Sequence, residues 1–161
     1  MTSRRDRLTH LGSDGGARMV DVSRKEPTRR RAVAEGRIET GAEAIELALS
    51  GKAPKGDVAA VARIAAIQAA KKASELIPLC HPLRIDSVGV EVEADATGMI
   101  VRCTVEGIER TGFEMEALTG AAAGLLAVYD MLKAVNRGME IGPLRIVEKS
   151  GGSSGEYRCP E

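Results

Sequence analysis

The stretch from Leu83 to Ile108, LRIDSVGVEVEADATGMIVRCTVEGI, alternates Val88, Val90 and Val92 with Gly89, Glu91 and Glu93. It turns at Ala96-Thr97-Gly98 and resumes through Ile100, Val101, Cys103 and Val105. Alternation with period two sends successive side chains to opposite faces of a strand, and a glycine turn between two such runs predicts a β-hairpin. Immediately upstream, Ile77-Pro-Leu-Cys-His-Pro82 cannot be helical, because each proline removes an amide donor and drives the preceding residue toward extended geometry. A rigid, shaped loop therefore leads into the hairpin. Before it, Asp57 can cap an alanine-dense helix reaching about Glu75, in which Val58, Val61, Ile64 and Ile67 recur. Alanine lets backbones approach closely, so this helix is expected to pack on more than one side. A shorter helix runs from a Thr40 cap to Ser50 and stops at Gly51. Arg29 to Ile38, apolar at Ala32, Val33, Ala34 and Ile38 without a helical period, reads as a strand.

Downstream of the hairpin, Leu118, Ala121, Leu125, Val128, Leu132 and Val135 step by three and four, which predicts a helix from about Glu114 to Arg137 ended by Gly138. Ile141 to Val147 reads as a last strand, followed by a flexible Lys149-Ser-Gly-Gly-Ser-Ser-Gly155. Counting the two early helices as one crossover, the order is β-α-β-β-α-β. That is the ferredoxin-like order of an α+β fold, an antiparallel sheet with helices on one face.

A chain of 161 residues suits one domain, expected over 19–157 between a mobile tail at 1–18 and a short tail at 158–161. The 23 Lys and Arg balance 23 Asp and Glu, unlike a basic nucleic-acid binder, and aromatics at 2% leave few rings on which bases could stack. Nucleic acid is not an expected partner. The longest uncharged run, Ala117 to Tyr129, falls well short of the roughly 20 residues of a membrane span, and no apolar segment follows the basic N-terminus as in a secretory signal. The expected location is cytoplasmic. Cys80, Cys103 and Cys159 form no paired motif and read as reduced thiols. With His10 and His81 the only histidines, a metal site would need mostly carboxylates, and no metal is expected.

Several residues carry possible chemistry. At about 100° per residue from Glu116, the leucine face of the long helix centres near 150°, whereas Asp130 falls near 320° and Lys133 near 260°. Both point away from the core. A solvated i, i+3 ion pair is the plain reading, but Glu116, Thr119, Ala123, Ala127, Asp130 and Ala134 share one side, and small residues flanked by polar ones admit a ligand or a second chain. His81 stands in the stiff proline loop, while neighbouring Cys80 reads as packing. Lys55 precedes a helix start that favours anions, yet a P-loop needs Lys and then Ser or Thr after its second glycine, and here Asp57 follows Gly56. Lys149 precedes Gly151 and Gly152, and strand alternation sends only one or two of Arg29, Arg30 and Arg31 to any one face. Cations at Arg30, Lys55, His81, Lys133 and Lys149 with carboxylates at Glu116 and Asp130 suit a polyphosphate compound handled by proton transfer. On these residues alone, an enzyme and a regulatory module that binds a phosphometabolite stand equal.

The strings Met19-Val-Asp-Val-Ser23, Lys55-Gly-Asp-Val58, Leu76-Ile-Pro-Leu-Cys-His-Pro-Leu83, Glu114-Met-Glu-Ala-Leu-Thr119, Tyr129-Asp-Met131 with Lys133, and Lys149-Ser-Gly-Gly152 resemble, in order, the molybdenum cofactor biosynthesis protein C family of cyclic pyranopterin monophosphate synthases. The resemblance implies a lyase without a cofactor. Its substrate would be a cyclic dihydro-GTP intermediate, (8S)-3′,8-cyclo-7,8-dihydroguanosine 5′-triphosphate, converted to cyclic pyranopterin monophosphate with loss of pyrophosphate. It also implies a homohexamer, a trimer of dimers, with active sites at the dimer interface. By motif, Asp130 and Lys133 correspond to acid/base residues and Lys55 to a further catalytic amine. Leu79, Cys80, His81, Glu114, Met115 and Glu116 fall at substrate-contact positions, and Arg30 and Lys149 at phosphate-gripping ones. Phe113 departs from the smaller aliphatic residue expected before Glu-Met-Glu.

Overall fold

A computed structural model of the chain describes residues 16–153 and 155–160. Its elements are β1 (Thr28–Glu39), α1 (Ala42–Leu49), α2 (Val58–Ala70), α3 (Ala73–Leu76), β2 (Ser87–Ala94), β3 (Gly98–Glu109), α4 (Glu114–Leu132), β4 (Glu140–Ser150) and β5 (Tyr157–Arg158). The sheet order is β2-β3-β1-β4-β5, with every neighbouring pair antiparallel. Strand β3 lies between β1 and β2, so the crossover through α1 to α3 skips a place. This is the expected ferredoxin-like arrangement, extended by β5 outside β4.

The valine alternation builds the inner face. In the hairpin Val88 faces Val105, Val90 faces Cys103 and Val92 faces Val101. Val88, Val90 and Val92, partly buried, and Val101, Cys103 and Val105, fully buried, join Ala32, Ala34 and Ile38 of β1 beneath the buried Ala117, Ala121, Leu125, Val128 and Leu132 of α4. The outer face of the sheet is charged: Arg102 bridges Glu35 and Glu91, and Arg31 bonds Glu106 and Glu148. By length and composition α4 would pass for a membrane-crossing helix, but half of that segment is buried inside the fold.

The boundaries differ from the sequence expectation where long-range contacts intervene. Helix α1 starts at Ala42 behind Gly41, which has φ 80°, while Thr40 is buried and caps nothing. The alanine helix breaks at Lys71-Lys72, where Lys72 N–H turns back to the Ala69 carbonyl, and α3 then buries Ala73. Its buried positions are Val58, Ala62, Ala66 and Ala70, a single face; Val61 and Ile64 point outward. The hairpin's first strand starts at Ser87 rather than Leu83. Helix α4 ends at Leu132, well before Gly138, because Val135 and Asn136 N–H groups both close on the Leu132 carbonyl. The Asn136 amide then donates to the Thr40 carbonyl at 3.0 Å. Lys149 and Ser150, expected in a flexible segment, complete β4, with Lys149 paired to Ala32 on one side and Tyr157 on the other. Pairing continues through Arg158, and Cys159 N–H donates to the Val147 carbonyl. Most of the expected N-terminal tail, His10 included, lies outside the described residues.

Candidate active site

Two clusters of the expected residues form, at opposite ends of α4. At its C-terminal end the Asp130 carboxylate is held between two ammonium groups, Lys55 Nζ at 2.6 Å and Lys133 Nζ at 2.7 Å. Lys133 reaches it from the next turn of the same helix. Lys55 arrives from the loop before α2, where the Asp57 side chain accepts from Ala60 N–H at 2.9 Å and fixes the helix start. The two lysine hydrogen bonds hold the Asp130 carboxyl down at about 2, so it is ionised throughout the neutral range. Its side chain is 54% exposed, as the helical angles required.

The second cluster surrounds the N-terminal end of α4, where a cleft of about 330 Å³ opens between the proline loop and the helix. Leu79, Cys80 and His81 line it with Glu114 and Met115. The loop folds back so that Cys80 Sγ donates to Glu116 Oε1 at 3.4 Å. Glu116 is therefore 3% exposed and does not share the open stripe expected for it with Asp130. Its other oxygen, Oε2, is buried and has no hydrogen-bond partner. Burial, the largest influence, raises the Glu116 pKa. Burial first and the Glu116 charge second push the Cys80 thiol up to about 12. A thiol so reluctant to ionise is no nucleophile, in agreement with its reading as packing. His81 Nε2 lies 2.8 Å from the Val20 carbonyl. A carbonyl only accepts, so Nε2 carries the proton, and a neutral ring keeps Nδ1 as its acceptor.

Lys149 joins this second cluster through Glu114, whereas Arg30 is tied to the end of β3. Lys149 Nζ bonds Glu114 Oε1 at 2.9 Å. Arg30 donates to the Glu109 carbonyl at 2.8 Å and the Arg110 carbonyl at 3.1 Å. Gly152 presses on its guanidinium, since a Cβ there would sit 2.2 Å from Arg30 Nη1. Arg29 and Arg31 both turn to Glu106 instead, so alternation singles out Arg30. Phe113 is wholly buried, and Gly107 makes the room: a Cβ there would meet the ring at 2.7 Å. Sequence reasoning missed Val20, Val22, Lys25, Thr111 and Gly112, which complete the cleft. Only Val20 and Val22 fall in a string the sequence singled out, Met19–Ser23. Among the described residues no three His, Cys, Asp or Glu side chains converge as a metal ion would require.

One chain does not join the clusters. At ~1.5 Å of axial rise per residue, Glu116 and Asp130 stand about 21 Å apart along α4. Each half thus has charge and shape of its own.

The chain is similar to proteins whose names bear on this chemistry. A protein of Brucella ovis named cyclic pyranopterin monophosphate synthase is 52% identical over 153 residues, covering 94% of this chain and 93% of the relative. One of Thermomicrobium roseum with the same name is 53% identical over 153 residues, covering 94% and 92%. The MoaC family matches residues 19–152, a span that holds both clusters, and with this agreement along nearly the whole chain the protein belongs to that family.

Proposed function

We propose that the protein is a lyase that converts (8S)-3′,8-cyclo-7,8-dihydroguanosine 5′-triphosphate into cyclic pyranopterin monophosphate and pyrophosphate. What carries this reading is the ionised Asp130 between Lys55 and Lys133 in a chain so close to relatives bearing that synthase name. A sugar hydroxyl oxygen bonds to the α-phosphorus as the bond to the β-phosphate breaks, and pyrophosphate leaves with the electron pair. Atoms balance without water or a redox partner. Lys133 and Lys55, hydrogen-bonded to one carboxylate, pass protons as the sugar-derived ring opens and the pterin closes. Arg30 and Lys149 take up the charge that builds on the departing phosphates. The Cys80–Glu116 pair and His81 hold the base and sugar. The active site forms at a dimer interface where the Asp130 end of one copy meets the Glu116 end of another, within a homohexamer built as a trimer of dimers. The separation along α4 supports this, as do the exposed Val61, Ile64 and Leu126 on the outer faces of α2 and α4.

The test is pyrophosphate release from the cyclic GTP intermediate by the purified protein without added redox cofactor. Asp130→Asn and Lys133→Ala are each expected to lower kcat by about 100-fold or more, with unchanged circular dichroism. Normal turnover in both variants would end the acid/base roles. A nucleotide bound tightly and released unchanged would make the protein a binding module.

A further inference from the structure

Lys133 occupies a place where helices ordinarily fray. It is the first residue past the end of α4 at Leu132, and its N–H closes on the Tyr129 carbonyl at 2.9 Å in the last turn. The final carbonyls of a helix have no partners within it, and a terminal turn that nothing else holds opens at little cost. The ammonium that meets Asp130 at 2.7 Å thus hangs from the least secure part of its helix.

Three side-chain hydrogen bonds hold this turn closed. The Tyr129 hydroxyl donates to the Arg137 carbonyl at 3.0 Å. The Asn136 amide donates to the Thr40 carbonyl at 3.0 Å, and its oxygen accepts from Gly138 N–H at 2.8 Å. Thr40 directly follows β1 and is buried, so it is a fixed anchor. Tyr129 and Val135 both pack against the core that contains Leu132. Apolar contact accounts for the ring of Tyr129, but not for its hydroxyl, which phenylalanine would lack at no loss of packing. That hydroxyl bridges residues 129 and 137, and the loop it closes contains both Asp130 and Lys133.

We propose that Tyr129 is a positioning residue for the Asp130–Lys133 pair: its hydroxyl keeps the last turn of α4 closed, so that the Lys133 ammonium stays on the carboxylate. Asn136 fastens the far end of the same clamp to the chain after β1. The inference rests on the acid/base roles proposed above, while the clamp itself can be read without turnover.

Tyr129→Phe in the full-length protein removes the hydroxyl alone. Lys133 is the first cause of the low Asp130 value and Lys55 the second, so a loosened Lys133 lets the carboxyl protonate at higher pH. In carbon-13 spectra of labelled aspartate, with Asp130→Asn assigning the signal, wild type keeps Asp130 ionised down to about pH 3, whereas in Tyr129→Phe protonation begins above that. In turnover of the cyclic GTP intermediate, kcat falls by about tenfold while KM stays within about twofold. Asn136→Ala releases the other end of the clamp and is expected to shift both readouts the same way. A hydroxyl that served only the fold would lower the melting temperature and leave both the titration and kcat unmoved. An unmoved Asp130 titration overturns the proposal, as does an unchanged kcat in a protein that turns over. A titration that moves in a protein without turnover defeats the reaction proposed above and leaves the clamp on the Asp130–Lys133 pair standing.

Discussion

Glu116 and Asp130 are carboxyl groups on one helix whose surroundings drive them in opposite directions. Burial raises the Glu116 pKa, so the native state keeps a proton there that the unfolded chain has released. Its contribution to stability is full below the ordinary carboxylate value and is lost as pH rises through the higher folded value. In thermal denaturation from about pH 4 to 8, wild type is therefore expected to lose stability relative to Glu116→Gln as pH rises; a pH-independent difference would show a carboxyl with no native shift. Asp130 has the reverse sign: its carboxyl at about 2 contributes above the ordinary value, and the contribution fades only as pH falls through 2. The outward placement of Asp130 follows from helical angle alone. The burial of Glu116 does not, because it depends on the Pro78–Pro82 loop folding back over the helix and setting Cys80 against the carboxyl.

At the scale of elements, α2 and α4 meet through small residues that let the helices approach closely. A Cβ on Gly120 would lie 2.6 Å from Cys103 Sγ and 3.1 Å from the Ala66 carbonyl; one on Gly124 would lie 2.8 Å from Val101 Cγ1. Gly120→Ala is expected to destabilise the fold by about 1–3 kcal/mol through overpacking, read as a lower denaturant midpoint at unchanged slope. Wild-type stability in that variant would mean that the helices can separate at no cost. The apolar stripe that makes α4 a helix is plain from residue spacing, and so is the alternation of the β2–β3 hairpin. The ends of the helices are less so. Local rules favour Gly138 as the stop, but Asn136 reaches the Thr40 carbonyl and turns the chain earlier, through a contact between residues distant in sequence.

For the whole molecule, the two ends of α4 stand about 21 Å apart, and the proposed dimer-interface site predicts that one copy alone is an incomplete catalyst. Co-expression of Asp130→Asn with His81→Ala is expected to recover about a quarter of wild-type activity per site, since random pairing yields half mixed dimers, each with one intact site. Neither variant alone is expected to turn over, and an inactive co-expressed mixture would locate both ends of the site within a single chain. The main elements, their order and the α+β class follow from the sequence by itself, as do the identities of the charged residues, whereas α3 and β5 do not. Periodicity arises from backbone geometry and chain neighbours, and composition needs no coordinates. Only the tertiary structure decides that Glu116 is enclosed, that Lys149 belongs to a strand, that Val20, Val22 and Lys25 line the cleft, and that the two charged clusters stand at opposite ends of one helix. Each of these depends on which distant segments come into contact, and that is settled by packing around the common core.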